Sequence, residues 1–134
     1  MKYLFVLILL FSACKAQDIP TMKLSYVDLD IKTPIDVSCD MYKLLFKSQI
    51  KMVKIDKQTD IDSIINLLNN LRIDTSKFIP DVRAELEISY SNKSKIYCLD
   101  KKGIYSEGIS YFLPDKLLGI LKRHMKYVEL AKMY

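Results

Sequence analysis

The side chains able to do chemistry in this chain are few: one histidine, three cysteines and 16 carboxylates, with nine tyrosines beside them. His124, the sole histidine, lies one residue from the apolar stripe of a C-terminal helical pattern, where a solvated or partly packed imidazole is the plain reading. A Ser-His-Asp or Cys-His site would have to use it, and no spacing sets a nucleophile beside it. The sequence contains no GxSxG, HExxH or CxxC and only three glycines. A nucleophile elbow, a zinc helix, a redox pair and a phosphate-cradling loop therefore all lack their signatures. Glu85 and Glu87 share one face of a strand pattern, about 7 Å apart by strand rise. A glycosidase pair flanks a cleft, usually from separate elements, so these two read as alternating surface charge. Asp56, Asp60 and Asp62 miss the spacing of a calcium loop and its turn glycine. No metal ligand set, cofactor or catalytic set is expected, and the chain reads as a non-enzyme.

One cysteine has a clearer context. Met1 to Cys14 reads MKYLFVLILLFSAC, with Lys2 ahead of an apolar run from Leu4 to Phe11, small Ser12 and Ala13, and then Cys14. That order of charge, apolar core and small residues is the order of a secretory signal. The run is too short to span a bilayer, which takes about 20 apolar residues. With Cys14 directly behind Ser12-Ala13, the stretch resembles the lipobox of bacterial lipoproteins. The resemblance covers these residues alone. It implies removal of residues 1–13, followed by a thioether-linked diacylglycerol and an N-acyl chain on Cys14. More than one acyl chain holds a protein stably on a membrane. The competing reading is cleavage behind Ala16, which discards Cys14 and leaves a soluble periplasmic or secreted protein.

Removal of residues 1–13 from the 134 leaves 121, enough for one domain with a modest core. Lys2 leaves with the signal, so 20 Lys+Arg remain from 21 against 16 Asp+Glu, a net charge of about +4. That balance favours approach to anionic surfaces such as lipid headgroups or polysaccharide, although a well-solvated surface is the plainer reading. Export argues against nucleic acid as a partner. With Cys14 lipidated, Cys39 and Cys98 remain, and an even count in an exported protein permits one disulfide. Separate buried thiols are the alternative.

The elements that must position these residues read as follows. Cys14 to Met22 is a polar tether, and residues 23–134 form one domain. From Lys23, alternation with Val27, Leu29 and Ile31 turned inward gives a strand that stops at Thr33-Pro34. Ser38 to Ile55 fits either one long helix or a short helix from Asp40 to Phe46 and a strand from Gln49 to Ile55. The β-branched Val53 and Ile55, with a turn behind them, favour the split. Met41, Leu44 and Leu45 would be the apolar stripe of the short helix. Asp60 to Leu71 is a helix with Ile61, Ile64, Ile65 and Leu68 on one face and Thr59 as its cap.

Val82 to Ser91 alternates strictly, with Val82, Ala84, Leu86, Ile88 and Tyr90 on one side and Arg83, Glu85 and Glu87 on the other. A turn over Ser91–Ser94 returns the chain as Lys95 to Leu99. Gly103, free to take positive φ, ends the next turn, and short strands flank Glu107-Gly108. Such short connections require antiparallel pairing, hence a meander. Pro114 and Asp115 open a final helix that runs to about Lys132. The fold class is α+β: an antiparallel meander of four or more strands with two or three helices packed on one face. Tyr90, Tyr97, Tyr105 and Tyr111 concentrate in the meander, and Tyr97 and Tyr105 are the candidates for an exposed interface. The leading functional expectation is an exported, membrane-anchored lipoprotein that serves as a non-enzymatic binding or accessory domain, with an envelope protein or polysaccharide as partner. Alternatives are an inhibitor or immunity-type protein against a secreted toxin or hydrolase and, more remotely, an enzyme built on His124.

Overall fold

The computed structural model describes residues 18–76 and 79–131, with the side chains of the last helix as far as Lys126. The signal and the tether from Cys14 to Gln17 lie outside the described residues. In chain order the elements are β1 (Thr21–Tyr26), α1 (Cys39–Phe46), β2 (Lys51–Ile55), α2 (Gln58–Asn69), β3 (Ala84–Tyr90), β4 (Lys93–Leu99), β5 (Gly103–Ser106), β6 (Ile109–Phe112) and α3 (Asp115–Ala131). The six strands form one sheet in the order β2-β1-β3-β4-β5-β6, antiparallel throughout. The α+β class, the meander and the split of residues 38–55 into helix and strand are as the sequence indicates.

One face of the sheet makes the main core. Met22, Leu24 and Leu86 are fully buried there against Ile64 of α2 and Leu117 of α3. The amphipathic stripes of α2 and α3 thus cover a single face, as an antiparallel sheet with alternating residues allows. Helix α1 covers part of the opposite face. Beneath it lies a second, smaller core of Val27, Val37, Tyr42, Phe46, Val82 and Cys98.

Several boundaries differ from the sequence reading. β1 starts at Thr21, so the sheet takes Thr21 and Met22 from the expected tether, and it ends at Tyr26. The residues of β1 that face the main core are Met22, Leu24 and Tyr26; of those expected inward, Val27 is buried in the smaller core just past the strand, and Leu29 and Ile31 are half-buried beyond it. Asp28 diverts the chain. Its carboxylate accepts the Asp30 N–H at 2.9 Å and its carbonyl accepts the Ile31 N–H at 3.1 Å, a local turn that competes with further pairing. The β3–β4 connection is tighter than expected, since Lys93 and Ser94 already pair with Tyr90 and Ser89. The positive φ falls at Glu107 (51°) and Gly108 (80°) in the β5–β6 turn, while Gly103 is a strand residue. Thr59 does not cap α2; Lys57 occupies that position, with no side-chain cap bond.

Candidate functional site

The face under α1 is organised in cross-strand rows. One row runs Met52 (β2), Ser25 (β1), Glu85 (β3), Cys98 (β4), Tyr105 (β5) and Ser110 (β6). The next row toward the β3–β4 turn is Lys54, Lys23, Glu87 and Ile96. Lys54, Lys23 and Ile96 are exposed and Glu87 is half-buried, so α1 covers the first row in part and leaves the second open.

Two devices hold α1 in place. Cys39, the first residue of the helix, is disulfide-bonded to Cys98 on β4, with a Cα–Cα distance of 5.8 Å. The loop leading into the helix is tied down by Arg83. Its guanidinium donates to both carboxylate oxygens of Asp81 (2.6 and 2.7 Å), to the Ile31 carbonyl at 3.1 Å, to Thr33 Oγ1 at 2.9 Å and to the Val82 carbonyl at 3.0 Å. Asp81 in turn accepts the Val37 N–H at 2.8 Å. Arg83 is thereby satisfied although buried, the condition under which a buried cation is tolerated. The guanidinium also stacks over the Phe46 ring, 5.5 Å from its centroid.

Pinned this way, α1 presents an unexpected edge. Its buried residues are Tyr42 and Phe46, with Cys39 half-buried. Met41, Leu44 and Leu45, expected to face inward, are 39%, 57% and 43% exposed. The disulfide fixes the helix rotation, and the two rings offer more area to bury than the aliphatic edge does. Met41, Leu44 and Leu45 lie at i, i+3 and i+4, one continuous outward strip.

Beside α1 runs a groove of about 540 Å³, walled by Asp40 and Lys43 of the helix and floored by Glu85, Ile96 and Tyr105. Glu85 is not the solvent-facing charge that alternation predicts. It is 4% exposed and accepts a hydrogen bond from Lys43 at 2.8 Å. That bond is the main reason the Lys43 ammonium is held above its ordinary value of 10.5. Arg83 is likewise buried, because alternation gives the side of a strand and α1 covers that side here. Burial pushes the Tyr42 phenol well up, and the negative charge of Glu85 adds to the shift. Its hydroxyl is buried without a hydrogen-bond partner among the described residues.

The two tyrosines expected to form an exposed pair lie on opposite faces. Tyr105 is half-buried in the groove, whereas Tyr97 is only 7% exposed and belongs to the main core. Tyr97 pairs with Leu86 across the strands, and Lys95 covers its ring at 5.2 Å. Glu87 pairs with Lys23 at 3.6 Å rather than with Glu85. His124 Nε2 is 2.9 Å from Asp60 Oδ2, and Arg123 reaches the other oxygen at 3.3 Å. Both partners of the His124–Asp60 contact are largely shielded, at 14% and 12% side-chain exposure, so it pins α3 to α2.

The arrangement beside α1 offers adhesion: a pinned apolar strip, a half-exposed aromatic ring and an ion pair whose carboxylate is buried while its lysine is exposed. The missed Met41-Leu44-Leu45 strip had a signal in the sequence, since Cys39, Tyr42 and Phe46 at spacings of three and four make a rival helix edge. Comparison of the chain with family models, curated proteins and solved structures gives no match.

Proposed function

We propose that this chain is an exported lipoprotein, anchored through Cys14, whose domain is a non-enzymatic binding or accessory module of the cell envelope. Its partner docks on the outward edge of α1 and the adjoining groove. The observation that carries this reading is the exposure of Met41, Leu44 and Leu45 on a helix that a disulfide and a buried arginine hold rigid. An apolar strip rimmed by charged residues, here Asp40, Lys43 and Lys47, has the composition of a protein contact. Rigidity lowers the conformational entropy lost on binding. A protein partner fits better than a polysaccharide, because sugar stacking needs an open aromatic platform and Tyr97 is buried.

The test is affinity recovery from solubilised membranes of the cells that make the protein, comparing wild type with Leu44→Asp/Leu45→Asp and with Tyr105→Ala. Wild type should recover a specific partner and the double variant should lose it. Because both leucines are exposed, each change should cost no more than about 0.5 kcal/mol of stability. Undiminished recovery by a folded double variant would rule out this surface.

A further inference from the structure

Asp18, the first described residue, is fastened to the domain. Its Oδ2 accepts the Ser91 N–H at 3.1 Å and the Ser91 hydroxyl at 2.7 Å. These bonds, the hydroxyl's first, hold its carboxyl below the ordinary value of 3.8, so the acceptor is ionised at neutral pH. Three residues later β1 begins, with Thr21 opposite Ser89 and Met22 opposite Ile55. One end of the sheet therefore gathers Asp18, the Ser91–Asn92 turn, the exit of β2 at Asp56-Lys57 and the Glu107-Gly108 turn. Loop 27–38 and the Asp100–Lys102 turn lie at the other end.

Only four Cα–Cα steps separate Asp18 from Cys14, a reach of at most about 14 Å when fully extended. A seven-residue strand such as β3 or β4 is itself about 24 Å long. An anchor at Cys14 therefore holds the Asp18 end near the lipid and keeps the far end off it. The surface at the near end suits that place. Ile19 is 69% exposed. Lys54, Lys57 and Lys93 are exposed and make no ion pair among the described residues, whereas Glu107 is matched by Lys95 at 3.8 Å. Against these three cations stand the exposed carboxylates of Asp18 and Asp56, so this end keeps a small net positive charge beside an exposed apolar side chain, which complements an anionic headgroup layer.

We propose that the domain rests on the membrane through this end, with Ile19, Lys57 and the Ser91–Lys93 turn against anionic lipid headgroups, and with the outward edge of α1 turned away from the lipid. This rests on the anchor at Cys14 proposed above. It gives the domain a fixed stance in place of free rotation on a long tether.

The test uses lipidated full chain in vesicles of phosphatidylethanolamine and phosphatidylglycerol that carry a headgroup quencher. A fluorophore is placed on one new thiol at a time: Asn92→Cys at the near end, Lys102→Cys at the far end and Lys47→Cys at the end of α1. All three positions are exposed, so the fold is retained. Quenching should be several-fold stronger at position 92 than at 102 or 47. Inserting a ten-residue Gly/Ser segment between Gln17 and Asp18 should erase the difference. Equal quenching at all three positions in the parent chain, or the strongest quenching at 47, overturns the stance while a floating, lipidated protein leaves the anchor intact. A protein that lacks the diacylglycerol and does not float with the vesicles overturns the anchor and the stance together.

Discussion

Tyr42 poses the sharpest question at the level of single residues. It is fully buried beneath α1, and its hydroxyl has no hydrogen-bond partner among the described residues. A buried polar group without a partner forfeits its hydration, so deletion of the group relieves a cost. Tyr42→Phe is expected to stabilise the domain by about 1 kcal/mol, read as a higher urea midpoint. A loss of stability would mean that the hydroxyl bonds to Glu85 in solution. None of this was legible from the chain alone. The alternation of residues 82–91 shows that Arg83 and Glu85 share a side, but whether that side meets water depends on an element some 40 positions earlier.

Among the elements, legibility follows the strictness of the pattern. β3 alternates without a break and is found where expected, and the stripe of α2 gives both its existence and its buried face. For β1, alternation continues past the true end of the strand, into residues that Asp28 turns out of the sheet. For the rotation of α1, the apolar count favours Met41, Leu44 and Leu45, whereas Cys39 and two aromatic rings decide the matter. Helix α1 has only eight residues, too few to be stable by itself, so its place depends on what fastens it. Replacing both Cys39 and Cys98 by Ala opens a closure across 59 residues and should cost about 4 kcal/mol in the chain-entropy model. Denaturant unfolding of the double variant checks the value. Hydrogen exchange should speed up first in α1 and the loop before it, with the main core protected. Uniform acceleration would show that α1 is not a separately fastened element.

For the whole molecule, the two cores divide the work. The larger one, between the sheet and helices α2 and α3, makes the domain stable. The smaller one serves to hold an apolar helix edge outward at a fixed angle. In the proposed stance, the N-terminal end beside the β3–β4 turn is the membrane side and the outward edge of α1 is the partner side. Mass spectrometry of the mature N-terminus tests the proposed lipoprotein most directly. A chain that starts at Cys14 and bears a diacylglyceryl thioether and an N-acyl group is predicted. An unmodified chain that starts at Gln17 would contradict it.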